Sequence, residues 1–188
     1  MIDLTLNYIQ SSNILTLGVL MILSIYFILI IWVYLYKMLS LNSSISTEKN
    51  NLDSLLLGES KISNLTIIGK QLQANNTITK ELLEVSEISL VREASSGLSL
   101  LSIVSSTAPF IGLFGTVVGI LESFSAFASK SKVSFSVIAP VISEALIATA
   151  AGIFVAIFAY TFHQLISRKV YTLHTYLKSQ INIIISRV

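Results

Sequence analysis

The sequence has no cysteine, two prolines, one tryptophan and little charge. Without a thiol it is neither a disulfide scaffold nor a thiolate metal centre. Charged residues make up 12%, about half the ~25% of a soluble domain, and hydrophobic residues make up 53%. That balance excludes a disordered chain and argues against an ordinary soluble enzyme. The 12 Lys+Arg against 10 Asp+Glu leave a net charge of +2, which is no footprint for nucleic acid. Aspartate is scarcer still: Asp3 and Asp53 are the two present, and neither lies in a long apolar run. What fits is an integral membrane protein, and the gaps between its charges indicate how it sits in the bilayer.

The first gap runs from Leu4 to Tyr36. Its densest part, Ile14 to Tyr36, would be roughly 34 Å long as a helix, enough to span a ~30 Å hydrocarbon core with some tilt. Trp32, Tyr34 and Tyr36 stand at its C-terminal end, where an aromatic belt meets headgroups, and Lys37 closes it. A cleaved signal peptide would need a basic start and a small-residue cleavage site. This chain opens with Asp3 and no Lys or Arg, and its apolar run is too long. The second gap runs from Ala94 to Leu121, and the third from Val133 to Ser167, broken once by Glu144.

Three spans therefore give an all-α, polytopic fold, the second and third helices long and extending into the cytoplasm. Residues 1–13 carry no Lys or Arg, the segment 37–93 carries six, 122–137 two, and the tail from Arg168 four. With the N-terminus outside, ten of the 12 basic residues lie inside, as the positive-inside rule requires. The expected layout is an outer N-terminus and first span over 1–37 and a cytoplasmic helical segment over 38–97. The second and third spans then occupy 98–167, with a short outer loop at 122–137, and a cytoplasmic helical tail covers 168–188. In the inner segment Ile78, Leu82, Val85 and Ser89 share a helical face, with breaks expected at Gly58 and Asn75-Asn76. The tail places Val170, Leu173, Leu177, Ile181, Ile184 and Val188 on one stripe. These faces fit helices packed on one another or a subunit-facing surface.

Glu144 is the ionisable side chain inside an apolar run. A carboxylate there costs roughly 2.5–3.5 kcal/mol at the span centre and less near an interface. Following it, Ala148, Ala151, Gly152, Val155 and Ala159 form a small-residue stripe. Glu144 fits a carboxylate facing a pore or partner, or one reaching for headgroups. The second span carries its own stripe of Ala108, Gly112, Gly115, Thr116 and Gly119, and Gly115-x-x-x-Gly119 is a close-packing spacing. Gly112, Gly115, Gly119, Ala148 and Gly152 are expected to pack helices, and Pro109 to kink one. A membrane threonine usually bonds its own i−4 carbonyl. Thr116 and Thr149, on facing helices beside Glu144, could instead line a hydrated path. His163 and His174 lack ligand partners at helical spacing, and no lysine follows the glycines around Gly112 as a phosphate loop would require.

Two segments carry a resemblance: Ser106-Thr-Ala-Pro-Phe-Ile-Gly-Leu-Phe-Gly-Thr-Val-Val-Gly119 and Ala139-Pro-Val-Ile-Ser-Glu-Ala-Leu-Ile-Ala-Thr-Ala-Ala-Gly152. In order, spacing and placement on the second and third spans they resemble the TolQ/ExbB family, the MotA-like stator subunits of proton-driven motors in Gram-negative inner membranes. The resemblance covers about residues 98–170, and the rest agrees in layout only. It implies a homo-oligomer, a pentamer, around single-span TolR- or ExbD-type partners that carry the proton-bearing Asp this chain lacks in its spans. It further implies a periplasmic N-terminus and a cytoplasmic C-terminus. No cofactor is implied, since the proton gradient drives the machine. Thr116 and Thr149 correspond to pore-lining threonines, and Glu144 to the carboxylate near the periplasmic end of the pore. The driven process would be Tol-Pal envelope integrity and cell division through TolA, or TonB-dependent import. The short lead into the first span and Ala145-Leu-Ile-Ala-Thr lean toward the TolQ branch. Val118 departs from the tryptophan found there in many members and bears on the pore's shape. Apart from the resemblance, the residues also fit a stand-alone small transporter or channel, or a structural membrane scaffold.

Overall fold

The computed structural model describes residues 14–57, 80–128 and 135–187. They form four helices: α1 (Ile14–Leu56), α2 (Lys80–Ala94), α3 (Leu98–Ala128) and α4 (Phe135–Arg187). Among them the helical stretches Thr16–Leu56, Lys80–Ser125 and Ala145–Ser186 are long and apolar enough to cross a membrane. The fold is that of an all-α membrane protein with three such spans.

α1 is continuous through Lys37, so the boundary expected there is not a helix end. Lysine is a good helix former, and nothing between Met38 and Leu56 is a glycine or proline that would stop the helix. Helix enters the segment 122–137 from both ends: α3 continues to Ala128 and α4 begins at Phe135. Val188 and the expected breaks at Gly58 and Asn75-Asn76 lie outside the described residues.

The helices form two compact units. One contains α1 up to Trp32 with residues Leu100–Phe162, and the other contains the rest of α1, α2 and α4 from His163. In the first unit small residues let helices approach. Ala108, Ala145, Ala148 and Ala159 are at most 2% exposed. Phe27 of α1 packs on Phe154 and Phe158 of α4 with ring centroids 5.6 Å apart in both pairs.

In the second unit the core is aliphatic. Leu41 and Leu55 of α1, Leu83 and Leu90 of α2, and Val170, Leu173, Leu177, Ile181 and Ile184 of α4 are buried. The stripe read from the tail is thus the core stripe. Gln180 at its centre is polar and fully buried. It donates from Nε2 to Glu48 O (2.9 Å) and Glu48 Oε2 (3.0 Å), and its Oε1 accepts from Asn51 Nδ2 at 2.8 Å.

The face of α2 that is buried is not the one that carries Leu82, Val85 and Ser89. Leu83, Ser86 and Leu90 are buried, whereas Val85 is 64% exposed and Ser89 is exposed. The helix carries two apolar stripes, and contacts with other helices select between them. In this rotation of α2, Glu87 Oε1 lies 2.7 Å from His174 Nε2 of α4. α2 ends at a turn in which Gly97 takes φ +88°, a conformation that disfavours any side chain, and α3 starts at once.

Candidate functional site: the glycine and threonine contact of the apolar unit

α3 and α4 run antiparallel and meet through reciprocal alanine–glycine pairs. A methyl on Gly112 would fall 2.6 Å from Ala148 O, and one on Gly152 would fall 2.5 Å from Ala108 O. Each glycine thus lies against the carbonyl four residues before the other helix's glycine. The backbones are near enough that only hydrogen fits at either position. The cause is the small-x-x-x-small spacing read from the sequence, Ala108-x-x-x-Gly112 against Ala148-x-x-x-Gly152.

The same stripe seats α1. A methyl on Gly115 would meet Val19 Cγ1 at 3.0 Å and Ala148 Cβ at 3.1 Å. A methyl on Gly119 would lie 3.4 Å from Thr16 Oγ1 and 3.5 Å from Ala145 Cβ. Gly112, Gly115, Gly119, Ala148 and Gly152 are therefore all at helix contacts. Pro109 stands inside α3, next to the fully buried Ala108. Thr16 was not anticipated. It is a polar side chain only 2% exposed, and its signal in the sequence was a lone hydroxyl at the start of an apolar run.

One turn from Gly112, Thr116 meets Thr149 of α4. Their hydroxyls form a hydrogen bond in which either can donate. Thr116 Oγ1 also lies 3.2 Å from Ala145 O and 3.3 Å from Gly112 O, and Thr149 Oγ1 lies 3.3 Å from Gly112 O. Two protons thus serve a cluster of two hydroxyls and two carbonyls. A hydroxyl carries one proton and two lone pairs, so the cluster can present an acceptor, or rotate to present a donor, with little rearrangement. Thr116 is 8% exposed and Thr149 is half-buried, so access to the pair is from the Thr149 side.

Glu144 belongs to α4, one residue before Ala145, and its side chain lies outside the described residues. Val118, the departure noted above, is half-buried on α3. Among the described residues no group of three or more His, Asp or Glu could hold a metal ion.

Comparison with known proteins agrees with this geometry. Residues 57–179 match the MotA/TolQ/ExbB proton channel family. Biopolymer transport protein ExbB-like 1 of Helicobacter pylori (strain 26695) is 41% identical over 191 residues, covering all of both chains. ExbB of Pseudomonas putida is 46% identical over 79 residues, 42% of this chain and 24% of that one. The Tol-Pal system protein TolQ of Pseudomonas aeruginosa is 50% identical over 62 residues, 33% of this chain and 27% of that one. Both names occur among these relatives, and the Helicobacter pylori relative that spans the full chain carries the ExbB-like one. By the match over residues 57–179 and the 41% identity to a relative along its whole length, this chain belongs to the MotA/TolQ/ExbB proton channel family.

Proposed function

We propose that this chain is the ring-forming stator subunit of a proton-driven motor in a Gram-negative inner membrane, with its N-terminus in the periplasm and its C-terminus in the cytoplasm. In this reading copies of the chain assemble as a pentamer around a single-span TolR- or ExbD-type partner that supplies an Asp. The observation that carries it is the Thr116–Thr149 pair, a proton-adaptable hydroxyl cluster set in an otherwise apolar contact. A carboxyl in low dielectric favours its neutral form, so a partner Asp would cross such a region protonated and ionise where water reaches it. A hydroxyl pair that can accept from COOH or donate to COO⁻ suits both states. Each proton crossing releases roughly 2.3 kcal/mol per 100 mV, which the assembly converts to work on TolA or TonB. Glu144 would stand near the periplasmic mouth of that path.

The test is reconstitution of the full chain in liposomes with and without a single-span TolR- or ExbD-type protein, with proton flux followed under an imposed potential. Flux is expected only with both chains, and lost when the partner's intramembrane Asp becomes Asn. Flux from this chain alone would replace the reading with a stand-alone channel. No flux in either case, with normal envelope function of the Thr149→Val strain, would leave a scaffold.

A further inference from the structure

Lys37 is the first cation after the uncharged run Ile14–Tyr36, and it follows Trp32, Tyr34 and Tyr36. Those aromatics mark the depth at which an apolar span meets headgroups. At this depth the second compact unit holds a cavity of about 450 Å³, within the ~300–1,000 Å³ usual for small-ligand sites. Its polar lining is Tyr36, Lys37, Ser40, Ser44, Glu93 and Ser96. Leu41, Leu90 and Leu173, all buried, complete the wall.

Lys37 is tethered at the rim of this cavity. Its Nζ donates to Glu93 O at 3.1 Å and to Ser96 Oγ at 2.6 Å, with Ala94 O at 3.5 Å. These carbonyls end α2, so the ammonium caps that helix against its dipole. An ammonium has three N–H groups, and the two short bonds use two of them. The third points to Ala94 O at 3.5 Å, a long bond that a stronger acceptor in the cavity would replace. Ser96 accepts from Lys37 and keeps its own proton to donate. Glu93 gives Lys37 its backbone carbonyl only. The ion pairs among the described residues are Lys80–Glu84 and His174–Glu87. The lining of one cavity at headgroup depth therefore includes a tethered cation and an acidic residue that are not paired with each other.

We propose that this cavity binds the phosphate–ammonium headgroup of a zwitterionic phospholipid, with the phosphate on Lys37 and Ser96 and the ammonium on Glu93. A single cation beside a carboxylate matches a ligand of no net charge and disfavours an anionic lipid. The same headgroup chemistry occurs in soluble phosphoethanolamine, but the cavity's depth favours the membrane as its source. Lipid seated here would tie the end of α2 and the start of α3 to one leaflet. The inference does not rest on proton conduction and stands or falls separately from it.

The experiment is native mass spectrometry of the full-length protein released from nanodiscs of phosphatidylethanolamine or phosphatidylglycerol, with free phosphoethanolamine as a competitor. The wild type is expected to retain phosphatidylethanolamine in preference to phosphatidylglycerol and to keep it against the soluble competitor. Glu93→Gln, which leaves the carbonyl bond to Lys37 intact, is expected to erase that preference, about tenfold for one charge-assisted contact. Lys37→Met is expected to weaken retention of both lipids. Because Lys37 also caps α2, its variant is read only if circular dichroism matches the wild type, and Glu93→Gln carries the test otherwise. Equal retention of the two lipids by the wild type, no change in Glu93→Gln, or displacement by soluble phosphoethanolamine would each overturn the proposal.

Discussion

Thr116 and Thr149 share hydroxyls across the α3–α4 contact, and each also lies about one hydrogen bond from a carbonyl of the opposite helix: Ala145 O at 3.2 Å and Gly112 O at 3.3 Å. Those carbonyls stand one turn before Thr149 and Thr116, where ordinary helix bonding already supplies a backbone donor. Deleting a hydroxyl therefore strands no buried carbonyl. Thr149→Val and Thr116→Val are expected to cost only about 0.6 kcal/mol each, and at most ~1.7 kcal/mol, in line with interhelical polar contacts in membranes. If the pair serves the proton path, flux in the complex with the partner falls to background while thermal unfolding in detergent barely moves. Thr149→Ser, which keeps the hydroxyl, is expected to retain flux. Loss of flux only in proportion to lost assembly would show the pair to be a packing element.

The glycine contacts sort by what a methyl would hit. At Gly112 and Gly152 it meets backbone atoms at 2.6 and 2.5 Å, which cannot swing away. At Gly18 it meets nothing within 4 Å. Gly112→Ala and Gly152→Ala are expected to destabilise by roughly 1–3 kcal/mol, the usual range for overpacking. Gly18→Ala is expected to be neutral or slightly stabilising, since alanine is the better helix former. Unfolding midpoints of the three purified variants check the order. A stable Gly152→Ala protein would mean that α3 and α4 can separate without cost.

Much of this contact was legible in the sequence because small residues at a spacing of four have one efficient use in a membrane. The tail was legible for a similar reason: Val170, Leu173, Leu177, Ile181 and Ile184 leave a single apolar stripe, and all are buried. α2 was not, because Leu82, Val85 and Ile88 compete with Leu83, Ser86 and Leu90 at the same period. Periodicity finds a stripe but does not say which stripe meets a partner. In the structure Leu90 shares a cavity wall with Leu41 and Leu173, residues more than 40 positions away in either direction. The burial of Glu48 and the pairing of the two threonine hydroxyls are likewise long-range outcomes that local pattern does not encode.

The Glu48–Gln180–Asn51 cluster yields a third prediction. Gln180 both donates to Glu48 and accepts from Asn51 while fully buried. Replacing it by Leu keeps the volume near but removes both functions. Glu48 and Asn51 hold further contacts, so neither is left bare. Gln180→Leu is expected to lower stability by roughly 1–3 kcal/mol, the cost of under-satisfying buried polar groups. A double-mutant cycle with Glu48→Leu should give a coupling of about 0.5–3 kcal/mol, since the residues share one network. Additive losses in calorimetry would show that Glu48 is satisfied elsewhere.

The rotation of α2 can be tested directly. Leu83 is 2% exposed and Val85 is 64% exposed, two positions apart on one helix. Truncating a buried leucine to alanine removes its burial and leaves a cavity, together about 2–5 kcal/mol. Truncating an exposed valine changes stability by less than ~0.5 kcal/mol. Hydrogen exchange of the Lys80–Ala94 amides, read by mass spectrometry in the folded complex, reports the same difference locally. Leu83→Ala is expected to accelerate exchange along α2, and Val85→Ala to leave it unchanged. If the face containing Leu82 and Val85 is instead covered in the assembled ring, Val85→Ala will loosen assembly while exchange in α2 of the isolated chain stays as in the wild type. Faster exchange in Val85→Ala than in Leu83→Ala for the isolated chain would reverse the assignment of the buried face.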